Sequence, residues 1–192
     1  MAISKRLKSF LDTARIHYSV TTHPVAYTAQ EIAAAQHVPG RQLAKSVLIK
    51  TDGGLRLAVL PAIYLIDLKK LKAALRAKTV AIAKESDIKT AFPDVEVGAM
   101  SPFGNLYGVP VIVDRGLEGS EHIAFNGGSH QETVKCTFKD FASAAKPQLA
   151  QIALTPKKSA SKKKATKSKN LKKKNKKPTR KKSASKKHST RR

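Results

Sequence analysis

Leu7, Phe10, Leu11 and Ala14 recur three or four residues apart after Ser4, the interval that lines one face of an α-helix, so the spacing predicts an amphipathic helix ending near Arg15. Residues 17–22 read as a short strand. In Thr28-Ala29-Gln30-Glu31 a hydroxyl and a carboxylate stand at capping-box spacing, each able to satisfy a free amide of a helix start, and the Ala-rich helix they open stops before Pro39-Gly40. Two apolar runs, 46–50 and 55–60, flank Thr51-Asp52-Gly53-Gly54, whose glycines accept the positive φ of a tight turn; this predicts a hairpin. Asp67 is suited to cap a helix whose Leu68, Leu71 and Leu75, with the stem of Lys72, face the sheet. A shorter helix over 85–91 follows and ends at Pro93. Residues 109–114, 122–125 and 133–136 are three more strands, and Thr137 to Asp140 starts a final helix running through Ala145. Helices and strands mixed in this way predict an α+β domain around a mixed sheet. No internal repeat is visible.

Charge divides the chain in two. Residues 155–192 hold 19 of the 38 Lys and Arg and no acid, whereas residues 1–154 carry 19 basic and 13 acidic side chains. The expected organisation is one folded domain, 1–154, long enough to bury its own core, and a Lys-rich appendage, 155–192. Like charges with few apolar residues cannot offset the entropy of ordering, so the appendage is expected to be disordered. Its clusters at Lys162, Lys163 and Lys164, at Lys172, Lys173 and Lys174, and at Lys181 and Lys182 suit phosphate neutralisation with counterion release, a salt-sensitive and sequence-independent mode open to tRNA, ribosomal RNA, DNA or an anionic membrane. Cys136 is the single cysteine, which rules out an intramolecular disulfide and suggests a reducing compartment. No apolar run reaches the roughly 18 residues of a membrane span, and the first residues lack a signal peptide's apolar stretch. A soluble, cytoplasmic protein is expected.

Three places carry candidate chemistry. Lys45 stands where helix-ending, glycine and proline residues give way to an apolar strand, so its ammonium is expected at a strand edge where loops converge. Gly98-Ala99-Met100-Ser101-Pro102 combines a residue that lets backbone approach a ligand with one that stiffens the far side, a bend that presents fixed amides to a carbonyl or a developing oxyanion. Gly127-Gly128-Ser129-His130 is a turn between two strands in which an imidazole could position water or bind an amino group, or serve only as structure. Ser129 and His130 are chain neighbours and make a poor nucleophile and base pair. Cys136, within a strand, reads as a small core residue. His17, His23, His37, His122 and His130 lack zinc-ligand spacing, and no Walker or dinucleotide glycine loop occurs. Neither a metal nor a cofactor is expected.

Taken together and in this order, Lys45, the 98–102 loop and the 127–130 turn resemble the YbaK/prolyl-tRNA-synthetase-associated domain, a family of editing deacylases that remove the wrong amino acid from tRNA. Phe103-Gly104 and Gly108-Val109-Pro110-Val111-Ile112-Val113-Asp114 also look like that family, and the likeness spans roughly residues 5–150. The resemblance implies a mixed, partly antiparallel curved sheet flanked by helices, with catalytic roles for Lys45, Gly98 and His130 and substrate contacts from Ser46, Ser101, Pro102, Gly127, Gly128 and Ser129. It implies that Lys45 anchors the phosphate and ribose of the acceptor end and that the 98–102 bend holds the terminal adenosine and the ester. It also implies that the neighbouring ribose hydroxyl of the tRNA assists hydrolysis, without a covalent intermediate. On that basis the chain is expected to be a trans-acting aminoacyl-tRNA deacylase of the tRNA(Pro) type, with Ala, Cys, Ser or Thr removed and a synthetase as a transient partner. Ser46 departs from the asparagine of an alanine-editing branch, which leaves the amino acid open. The tail lies outside this likeness and resembles the low-complexity arms of linker histones. The competing expectation is a catalytically idle body that associates with a nucleoid or RNA through the tail.

Overall fold

The computed structural model describes residues 3–25, 31 and 38–154. The helix expected after Thr28 and the Lys-rich tail lie outside the described residues.

Local signals formed the elements expected of them. Helix α1, Lys5–Thr13, is capped by Ser4, whose hydroxyl accepts from the Leu7 amide, and its Leu7 and Leu11 are buried. Strand β1, Tyr18–Thr22, follows. Strands β2, Ala44–Thr51, and β3, Gly54–Pro61, form the hairpin in antiparallel register, Lys45 opposite Leu60 and Thr51 opposite Gly54. After the two-residue strand β4, Leu65–Ile66, the Asp67 carboxylate accepts from the Lys69 and Lys70 amides and starts α2, Leu68–Leu75. The short strand β5, Val80–Ile82, then precedes α3, Glu85–Ala91. Strands β6, Val111–Asp114, β7, His122–Asn126, and β8, Glu132–Thr137, match the three later apolar runs. Thr137 caps α4, Phe138–Ala145, by accepting from Asp140 N. Two further strands close the body: β9, Gln148–Ala150, and β10, Ala153–Leu154.

The strands form three sheets rather than the single sheet expected. A five-stranded mixed sheet has the order β5-β2-β3-β6-β9, a three-stranded antiparallel sheet the order β1-β8-β7, and β10 pairs with β4. In the large sheet, β3 with β6 and β6 with β9 run parallel; β2 is antiparallel to both β3 and β5. A parallel bridge between Leu43 and Ala124 links the two larger sheets.

Alternation along β2 and β3 divides the interior. Ala44 and Leu48, with Leu57 and Val59, face the main core, which takes Ile123, Phe125 and Val134 from the three-stranded sheet, Leu7 and Leu11 from α1 and Phe141 from α4. Ile49 and Ala58 face the other way and pack with Ile112, Ile152 and Leu71 of α2. The large sheet is therefore covered on both sides. Asp114, at the end of β6, ties the C-terminal segment down: one carboxylate oxygen accepts from Ile152 N at 2.7 Å and Ala153 N at 2.8 Å, the other from Gly116 N at 2.8 Å. No described helix is long and apolar enough to cross a membrane.

Candidate functional site

The 98–102 loop is fixed from both sides. Its far end runs into Phe103, fully buried, whose ring meets Phe10, Phe125 and Phe141 edge-on with centroids 5.3, 5.6 and 5.3 Å away. Ala99, Met100, Ser101 and Pro102 are themselves buried. At its near end Gly98 has φ +92°, a region that favours glycine, and a Cβ built there would lie 3.4 Å from His130 Cε1. The Ala99 amide donates to Glu96 O at 2.9 Å, whereas the amides of Met100 and Ser101 donate to no acceptor among the described residues. These two N–H groups sit in a loop that cannot easily move, the arrangement that suits stabilisation of a developing negative oxygen.

The 127–130 turn joins β7 to β8 and locks onto this loop. Glu96 N donates to Gly128 O at 2.9 Å, and the Glu96 carboxylate accepts from His130 N at 2.9 Å. His130 Nε2 lies 3.0 Å from Val97 O; a carbonyl only accepts, so Nε2 carries the proton. Ser129 Oγ donates to the buried Glu132 carboxylate. Beside this junction opens a cleft of about 340 Å³, lined by Ser4, Asp94, Glu96, Gly128, Ser129 and Glu132 among others. Glu96 and Glu132 were not singled out from the sequence, although they hold the turn. Proximity to Gly98 and His130 along the chain was the one available signal, since carboxylates elsewhere on the surface look the same.

Lys45, the second residue of β2, is half-buried, and its Nζ donates to Ala62 O at 3.3 Å. No carboxylate pairs with it among the described residues, and burial pushes its ammonium below the usual lysine range. Among the described residues no hydrogen bond or ion pair joins Lys45 to the 98–102 loop or the 127–130 turn. Alternation explains the separation: Lys45 leaves β2 on the side of Val47 and Ile49, whereas Ser46 leaves it on the side of Ala44 and Leu48, the side whose core includes Met100 and Phe103. The Ser46 hydroxyl is buried there without a hydrogen-bond partner. The structure thus brings Gly98 together with the 127–130 turn directly, and sets Lys45 at the strand end beyond them.

Surroundings account for two further residues. Cys136 is buried, and burial with the nearby Asp140 pushes its thiol up to about 12, which keeps it protonated and inert at neutral pH. The buried His23 is a structural group: its Nδ1 lies 2.8 Å from Pro24 O and its Nε2 3.1 Å from Thr133 Oγ1. No group of three or more His, Cys, Asp or Glu suited to a metal occurs among the described residues. The tail lysines lie outside the described residues.

Comparison with known proteins gives a consistent result. A model of the aminoacyl-tRNA editing domain matches residues 23–144. A proline–tRNA ligase of Fervidobacterium nodosum is 31% identical over 104 residues, 54% of this chain but only 18% of the ligase. A crystal structure of a protein proposed as a trans-editing enzyme for prolyl tRNA synthetase superposes with a TM-score of 0.72, at 21% identity over 79% of this chain and 97% of that one. A protein of Marinobacter aquaeolei, proposed to act in signal transduction, superposes at 0.62 with 18% identity, over 78% of this chain and 30% of its own. At these identities the two structures establish the fold, and the matched segment containing the fixed loop and its buttressing turn establishes the lineage: this chain belongs to the aminoacyl-tRNA editing domain family.

Proposed function

We propose that this protein is a trans-acting aminoacyl-tRNA deacylase that hydrolyses the ester of mischarged tRNA of the tRNA(Pro) type, with Ala, Cys, Ser or Thr as the amino acid released. Family membership supports the reaction class, and the proline–tRNA ligase and trans-editing relatives support the tRNA. The observation that carries the reading is Lys45: a half-buried ammonium with one long bond to a neutral carbonyl and no carboxylate partner among the described residues, which an incoming phosphate would complete.

In this reading Lys45 neutralises the acceptor-end phosphate and sets the ester beside the 98–102 loop. The ester is already activated, so water needs only placement and a stabilised oxyanion. Water adds to the carbonyl carbon, the carbonyl oxygen takes up the charge against the Met100 and Ser101 amides, and the C–O bond to the ribose breaks. The ribose oxygen leaves with one of the water's protons as a hydroxyl, and the amino acid leaves as its carboxylate, the second proton passing to solvent. His130 is a positioning residue here, because its protonated nitrogen holds Val97 O and its amide holds Glu96, the two residues before Gly98. Ser101, Pro102, Gly127, Gly128 and Ser129 shape the bound end, and the buried Ser46 hydroxyl backs it from the core side of β2. The tail, with Lys162 to Lys164, Lys172 to Lys174, Lys181 and Lys182, grips the RNA backbone, the work is cytoplasmic, and any synthetase contact is transient.

The test is deacylation of tRNA(Pro) charged in turn with Ala, Cys, Ser and Thr, by the native chain and by Lys45→Ala. The native chain is expected to turn over at least one of them, and loss of one charge-assisted phosphate contact should slow the variant roughly 10- to 100-fold. Equal rates would remove the lysine from the mechanism. No turnover of any charged tRNA would leave an idle binding module.

A further inference from the structure

Outside the candidate site, the strongest charge asymmetry on the folded body lies on α2. From residue 68 to residue 84 the chain has no Asp or Glu and six Lys or Arg: Lys69, Lys70, Lys72, Arg76, Lys78 and Lys84. Helix α2 buries Leu71 against the sheet, which leaves Lys69 and Lys72, at positions i and i+3, exposed on one face, with the exposed Arg76 at the C-cap. Four exposed cations elsewhere on the body have carboxylate partners: Arg6 with Asp94, Lys8 with Asp12, Lys50 with Asp87, Arg115 with Glu118. Lys69, Lys72, Arg76 and Lys78 have none among the described residues. The two acids that face them are engaged by backbone: Asp67 caps the helix, and Asp52, which Lys72 also influences, accepts from the Lys78 and Thr79 amides.

We infer that this stripe is a binding surface for the sugar–phosphate backbone of duplex RNA, and, resting on the reading above, that it receives the stem of the tRNA whose end enters the site. Its placement supports this. The helix begins six residues after Ala62, which holds Lys45, and the segment that follows it reaches Asp52, in the hairpin turn at the other end of β2, through the Lys78 and Thr79 amides, so the stripe leads away from Lys45. The axial step of about 4.5 Å between Lys69 and Lys72, with Arg76 at the helix end, is commensurate with backbone charges that recur every few ångströms along a strand. Lys70, on the same helix, donates to Ala153 O, and Leu154 pairs with Leu65 just before the helix. Leu154, the last described residue, therefore stands beside the start of the stripe.

The experiment uses the full chain and uncharged tRNA, with affinity followed against salt. The triple variant Lys69→Gln, Lys72→Gln, Arg76→Gln is compared with Lys5→Gln, Lys89→Gln, Lys139→Gln, which removes the same charge from exposed, unpaired sites elsewhere. Each lost phosphate contact removes roughly 0.7–0.9 from the log–log slope, so the α2 triple should flatten it by about 2–3 and the control by less than 1. Equal slopes for the two triples, or an unchanged slope for the α2 triple, overturn the inference. Because the tRNA is uncharged, this readout stands even if no deacylation is found. Where deacylation is found, the α2 triple should raise KM for full-length charged tRNA and leave turnover of a short aminoacylated CCA-end oligonucleotide unchanged; a loss on the oligonucleotide as large as on the tRNA also overturns it.

Discussion

Replacing Gly98 by Ala tests whether the conformation of the 98–102 bend, rather than its mere presence, frames the ester. Gly98 stands at φ +92°, where an L side chain costs about 1–2 kcal/mol. The added Cβ would meet His130 Cε1 at 3.4 Å, an ordinary contact, so backbone strain rather than collision sets the cost. Gly54 is a matched control, because it has φ +96° and open space where its Cβ would go. Both Gly98→Ala and Gly54→Ala should lower stability by about 1–2 kcal/mol, read as a lower denaturation midpoint at unchanged m, or as a drop of about 2–8 °C in Tm. They should part company in activity. Strain at Gly98 can relax only by moving Val97 and Ala99 against His130 and Glu96, which displaces the loop amides, so kcat/KM for deacylation should fall about 10-fold or more. Gly54→Ala, in the far hairpin turn, should keep kcat/KM within twofold. If Gly98→Ala loses stability but no more activity than Gly54→Ala, the bend does not frame the reacting ester. If neither loses stability, the positive-φ argument itself is wrong.

Three further outcomes follow from single groups. Lys45→Met keeps the stem but removes a charge whose pKa burial holds below 10.5, so the folded chain releases that proton at lower pH than the unfolded one; native stability should rise, relative to the variant, as pH climbs from the lowered value toward 10.5, as measured by denaturant melts across alkaline pH. A flat difference between the two proteins across that window would show the ammonium to be fully solvated. Asp114→Ala leaves the buried amides of Ile152 and Ala153, and that of Gly116, without their acceptor and should cost about 3 kcal/mol or more by equilibrium unfolding; a loss below about 1 kcal/mol would refute the clasp. Deleting residues 155–192 should weaken RNA binding and flatten its dependence on log salt, and an unchanged slope would place the whole RNA contact on the folded body.

Much of the architecture was legible because its signals are local. Ser4, Asp67 and Thr137 each cap the helix their positions predict, since a cap depends on a side chain and an amide two or three residues on. The β2–β3 hairpin was legible for the same reason, its register set by a two-residue turn. Strands β4, β5, β9 and β10 were not, because two or three residues cannot show an alternation. Nor was the division into three sheets, in which β1 pairs with β8, whose Cys136 sits opposite Tyr18 across more than a hundred residues of chain. At the site, the residue types of the loop, the turn and the lysine stood out in order, but their mutual placement did not.

By itself, the order of residues determined the longer helices and strands among the described residues, where the charge lies, and which glycines, lysine and histidine to watch, because propensity, capping and electrostatic sign act over a few neighbouring positions. Only the tertiary structure decided that Glu96 and Val97 hold His130 against Gly98, that Ser46 and Lys45 leave β2 on opposite faces, and that Lys69, Lys72 and Arg76 have no carboxylate partner among the described residues. Those are relations between surfaces brought together by burying apolar area, and burial is legible residue by residue while the partner across the core is not.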